Sequence, residues 1–85
     1  MAQIWIDNYR FLALNSGPGL ILSGFWEGSP ITSSPIAAIG NAMSVYDDHS
    51  DWWFLQRPSF GIMWRYKLRY QEPAWYAELK HQGLL

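Results

Sequence analysis

The chain has 85 residues, seven acidic and six basic side chains, a net charge of −1 and no cysteine. It is long enough for one compact domain over residues 1–85, which neither disulfides nor a cysteine-held zinc can stabilise. The near-balanced charge gives no general attraction to nucleic acid or anionic lipid, so packing of its six Trp, five Tyr and four Phe, or self-association, must supply the stability.

The first 14 residues carry Asp7 and Arg10 and lack a basic leader, so no secretory signal is expected. The longest uncharged stretch, Gly28 to Tyr46, contains Pro30, Pro35 and Gly40 and makes a poor membrane span. The expectation is a soluble, cytoplasmic protein without membrane contact.

Ile4 to Leu14 is rich in aromatic and β-branched residues and ends at Asn15-Ser16-Gly17-Pro18-Gly19, which predicts a strand and a turn. Leu20 to Trp26 follows as the second arm of an antiparallel hairpin, with Gly24 marking a bulge or a close backbone approach. Ser34-Pro35 reads as an N-cap and first helical position, and Ile36, Ile39 and Met43 recur with helical spacing, predicting a helix over 35–44. Trp52 to Gln56 reads as a short strand. From Phe60 the alternation of Phe60, Ile62, Trp64, Tyr66, Leu68 and Tyr70 with Gly61, Met63, Arg65, Lys67, Arg69 and Gln71 predicts a further strand with one aromatic and one basic face. Pro73 opens a terminal helix that Gly83 stops. The expected fold is therefore a small two-layer α+β domain, a four-stranded antiparallel sheet with two helices in the order β-β-α-β-β-α. An extended 35–44 would instead give a mostly β barrel or rolled sheet with one terminal helix.

Charge is divided along the chain: residues 1–51 set one cation against five acids, residues 52–85 five cations against two. On a strand Arg65, Lys67 and Arg69 would project side by side about 6.6–6.8 Å apart, a spacing suited to an acidic protein partner first and to nucleic-acid phosphates second. The opposite-face position of Trp64, Tyr66 and Tyr70 would keep them from stacking on bases bound there. Trp52 and Trp53 would point to opposite sides of their strand, leaving one for an oligomer or partner contact.

Asp47-Asp48-His49-Ser50-Asp51 offers oxygen and imidazole ligands, but without the spacing of a calcium-binding loop it reads as a solvated turn. Leu22 to Ser29 resembles, over eight residues, the acidic signature of LAGLIDADG homing endonucleases. That resemblance implies Glu27 as an acid at a DNA-cleavage centre, although Pro18, Gly19 and Pro30 disfavour the long helix it requires. A metal-assisted hydrolase or nuclease is thus a lesser alternative. No nucleophile elbow, P-loop or other cofactor motif is present. The functional expectation is a non-enzymatic interaction or regulatory protein that forms a homo-oligomer, with Arg65, Lys67, Arg69, Trp52 and Trp53 as partner-binding residues.

Overall fold

The computed structural model describes residues 2–40 and 43–85. Among the described residues six strands and two helices form: β1 Gln3–Ala13, β2 Leu20–Trp26, β3 Ser29–Thr32, β4 Ile36–Ile39, β5 Ser44–Asp47, β6 Trp52–Leu55, α1 Met63–Gln71 and α2 Pro73–His81. The strands make one sheet in the order β3-β2-β1-β6-β5-β4. The β1/β6 pair is parallel and the other pairs are antiparallel. This mixed sheet with both helices at the end of the chain replaces the expected four-stranded antiparallel sheet and its β-β-α-β-β-α order.

Two segments account for the difference. Of the expected helix over 35–44, Ile36–Ile39 are strand β4 and Ser44 is the first residue of β5, while Asn41 and Ala42 lie outside the described residues. A surface helix needs a polar face, and this stretch has no charged residue. Pairing with β5 satisfies the β4 backbone instead, and Ile36 alone of this strand is fully buried. The expected strand from Phe60 is helix α1. Every-other-residue alternation also contains pairs four apart, and only Trp64 and Leu68 of the aromatic set enter the core, one turn apart, as a helix requires. Phe60, Ile62, Tyr66 and Tyr70 are exposed.

β1 organises the sheet because it changes phase midway. Ile4 and Ile6 face the core, then Asn8 adopts φ +51° and Tyr9 and Phe11 face the core in the opposite parity. Between Asp7↔Phe25 and Arg10↔Ser23, β1 advances one residue more than β2, a bulge that bends the strand. Its first half pairs with β6, and its second half pairs with β2 and, at Tyr9, bridges to Pro58.

The sheet must also roll. Edge strands β3 and β4 are joined by residues 33–35, a link that reaches about 14 Å from Thr32 to Ile36 at full stretch, whereas six flat strands would hold them about 24 Å apart. Ser33 seals the roll: its N–H donates to the Leu22 carbonyl (2.8 Å), and its hydroxyl accepts from the Leu22 N–H (2.8 Å) and donates to the Ser34 carbonyl (2.7 Å). Inside lie Ile4, Ile6, Tyr9, Phe11, Leu20, Leu22, Ile36, Val45, Trp53 and Leu55, closed at one end by Trp64, Leu68, Leu79 and Leu84. The Tyr9 hydroxyl donates to the Leu84 carbonyl (3.1 Å), tying the last residues to β1. No helix is long and apolar enough to cross a membrane among the described residues.

Gly24 sits where β2 crosses the bulge. A Cβ there would lie 2.7 Å from the Asp7 carbonyl oxygen and 2.9 Å from Ile6 Cγ1. The backbone contact cannot rotate away, so Gly24→Ala should lower stability by about 1–3 kcal/mol, read as an earlier urea midpoint at unchanged slope. Tyr9→Phe leaves the Leu84 carbonyl without its donor and should cost about 1 kcal/mol in the same measurement.

Candidate functional site

Helix α1 carries the three cations expected to act together, and its geometry separates them. Residues two apart lie about 200° round a helix, so Arg65 and Arg69 share the flank toward α2 while Lys67 lies on the opposite flank. The Arg65 guanidinium lies 5.0 Å from the centre of the Trp64 ring, and that of Arg69 5.9 Å from the Tyr76 ring. Stacking of this kind leaves the charge unneutralised. Among the described residues, Arg57 is the one Lys or Arg side chain paired with a carboxylate, that of Asp7. Arg65, Lys67, Arg69 and Lys80 therefore leave the helical end of the molecule positively charged. The helix also reverses the expected separation of aromatic and basic groups, since exposed Tyr66 and Tyr70 now stand beside Lys67 and Arg69.

Lys67 borders a cleft of about 410 Å³ between α1 and the second half of β1. Arg10 stands on the β1 wall; Leu12, Ile21, Met63 and Trp64 supply apolar surface, and Gln71 closes the far end. Among the described residues none of the cleft's lining groups is a carboxylate. Trp64 is 6% exposed, and its buried indole N–H has no acceptor. Helix α1 adds to the positive character, because its first turn contains no acidic residue and Ile62 supplies no side-chain cap. A neighbouring hollow at the β1–β2 turn shares Ala13, Asn15 and Gln71 with the cleft. There the Gly19 N–H donates to Glu72 Oε1 (2.8 Å), joining the hairpin to the link between the two helices. Arg10, Met63 and Gln71 escaped the sequence reading because nothing in their order shows that β1 and α1 are neighbours.

A second surface lies on the outside of the sheet. Trp52 and Trp53 point to opposite faces: Trp53 is 2% exposed, and Trp52 is half-buried on the outer face. Rings from three strands form a continuous ladder there, Trp5 stacked on Phe54 (4.5 Å between centroids), Phe54 against Trp52 (4.7 Å) and Trp52 stacked on Tyr46 (5.0 Å). Trp5 ends the ladder at 55% exposure.

The acidic loop is accounted for by turn construction. Asp47 is buried; its Oδ1 accepts from the backbone N–H groups of His49 (3.0 Å) and Asp51 (2.9 Å), and its Oδ2 accepts from Trp53 Nε1 (3.0 Å). Asp48 Oδ1 lies 2.9 Å from His49 Nδ1. Asp47, Asp48 and His49 bring one ligand atom each within 4.8 Å of one another, yet Asp47 is already committed to three donors. Glu27 is exposed with φ +51°, followed by Gly28 at φ +82°. These two residues form the tight connection of the β2–β3 hairpin, which is the pattern of a type I′ turn. The segment resembling the endonuclease signature is thus mostly strand.

Removing the Asp47 carboxylate strands the buried Trp53 N–H, and Asp47→Ala should destabilise the protein by about 2–3 kcal/mol in urea. At the bulge, hydrogen bonding from the Arg57 side chain holds the Asp7 carboxyl below its usual 3.8, and the Asn8 N–H adds to this. A depressed folded pKa means a contribution present above pH 3.8 and lost as pH falls through the lower folded value. Asp7→Asn should accordingly show a flatter stability profile than wild type below pH 3.8, measured by urea unfolding across the acid range.

No protein family, curated protein or solved structure matches this chain.

Proposed function

We infer that this chain is a non-enzymatic interaction protein of the cytoplasm that docks an acidic protein partner through the α1 end of the molecule. The observation that carries this reading is the imbalance of charge there: Arg10, Arg65, Lys67 and Arg69 have no carboxylate partners among the described residues, and exposed Tyr66 and Tyr70 stand between them. An excess of positive charge, with Glu72 and Glu78 the acids of the helical segment, over an apolar, aromatic surface favours a complementary protein surface, steering its approach and supplying area to bury. The absence of cysteine suits a reducing compartment.

Nucleic acid is the second reading, because the tyrosines and cations now share one helix surface and could contact bases and phosphates together. The net charge of −1 ranks it lower. Self-association belongs to the same proposal, with the Trp5–Phe54–Trp52–Tyr46 ladder as its apolar contact.

Titration with poly-glutamate and, separately, with a single-stranded oligonucleotide tests the ranking. Poly-glutamate should shift the amide resonances of α1 and the second half of β1, and binding should weaken as salt rises. Arg10→Gln combined with Lys67→Gln should reduce affinity about threefold to tenfold without changing the melting temperature. Stronger binding of the oligonucleotide at the same resonances would reverse the order of the two readings. Trp5→Glu should leave a 9.9 kDa species in sedimentation at concentrations where wild type associates.

A further inference from the structure

We propose that the cleft between β1 and α1 receives an extended acidic segment of the protein partner, paired to the open edge of β1 as an added strand. This rests on the acidic-partner reading of α1 and specifies how that partner is held.

The edge follows from the hydrogen-bond register. Leu22 directs both its N–H and its C=O to Ser33, away from β1. Phe11, which lies opposite Leu22, is therefore in a non-hydrogen-bonded pair and turns its own N–H and C=O to the other side of β1. Leu14 donates to the Gly19 carbonyl within the hairpin, so Ala13, one residue earlier, points the same way as Phe11. Tyr9 shares this parity and already uses that side: its N–H donates to the Arg57 carbonyl (3.0 Å), and its C=O accepts from the Ser59 N–H (2.7 Å). At Ser59 the neighbouring chain departs toward α1. Beyond Tyr9 no strand runs beside β1 on this side among the described residues, since β6 pairs only with Gln3–Ile6.

Helix α1 forms the opposite wall. From Met63 to Gln71 it extends for about 12 Å, the length of three to four residues of strand. A strand edge facing a helix across such a space is the arrangement in which an extended peptide adds to a sheet, with main-chain hydrogen bonds giving affinity and alternate side chains giving selectivity. Selectivity for acids comes from Arg10 on one wall and Lys67 on the other, with no lining carboxylate among the described residues. The unpaired, buried Trp64 N–H is a further donor in that lining. The edge alone would accept any extended chain; the charge commits it to an acidic one.

The test uses the whole chain and a blocked eight-residue peptide of alternating glutamate and valine, with an analogue N-methylated at every second residue. With saturating peptide, amide hydrogen exchange at Phe11 and Ala13 should slow at least about tenfold, and N-methylation should weaken binding about tenfold by removing two main-chain hydrogen bonds. Lys67→Gln should weaken binding of the unmethylated peptide about threefold. If the peptide binds and Lys67→Gln weakens it while Phe11 and Ala13 exchange as in the free protein, strand addition is rejected and the acidic docking surface stands. No binding at millimolar peptide, or binding indifferent to Arg10→Gln and Lys67→Gln, rejects both. Protection of the two amides that grows with protein concentration in the absence of peptide assigns the edge to a second copy and overturns the proposal.

Discussion

A single extra residue in β1 sets the arrangement of everything around it. The bulge at Asn8 exchanges which parity of side chain faces inward, so one strand lines the core on both sides of a bend with Ile4 and Ile6 before it and Tyr9 and Phe11 after it. An unbulged strand would put Tyr9 and Phe11 in water or force the sheet to remain flat. The bend also divides the pairing, since Gln3–Ile6 pair with β6 while Arg10–Ala13 pair with β2, and α1 lies against the strand. The Asp7–Arg57 pair lies against this point and fastens the bulge to the segment that leads into α1.

Two polar side chains complete what the bulge begins. Ser33 closes the seam where the rolled sheet brings its ends together, and Asp47 shapes the β5–β6 turn while accepting the buried indole N–H of Trp53. Each meets main-chain or indole donors that would otherwise be buried without partners, a requirement more stringent than the small net gain from a hydrogen bond. The acidity of the 47–51 segment thus has a structural use that its composition conceals. Its residue types suit a cation, while its actual bonds are those of a turn.

Local chemistry made several elements legible. Runs of β-branched and aromatic residues bounded by Gly, Pro and Asn located β1, β2 and β6, and Pro73 and Gly83 bracketed α2. Two segments were misread because a pattern was compatible with more than one period. Ile36, Ile39 and Met43 have helical spacing, but their segment has no polar face for a helix to expose. Trp64 and Leu68 belong equally to an alternating series and to a helix stripe, and only their burial beside Phe11 selects the latter. Parallel pairing of β1 with β6 had no local signal at all. The concentration of cations at Arg65, Lys67 and Arg69 was visible in composition, whereas their distribution over two flanks, and the placing of Arg10 and Lys67 along one cleft, depend on tertiary placement.

The long reach of β1 has a kinetic consequence. Its start is joined to residues 49 positions later through Ala2 and Asp51, and Tyr9 to a residue 75 positions later. Neither contact is rewarded until most of the intervening chain has been brought back, and the entropy of closing such loops is paid first. The β1–β2 hairpin can form early on its own, but half of β1 then waits without β6 or the C-terminal segment. A molecule built this way folds more slowly than a helical bundle of equal length, and during the delay its apolar strands are open to contacts with other chains.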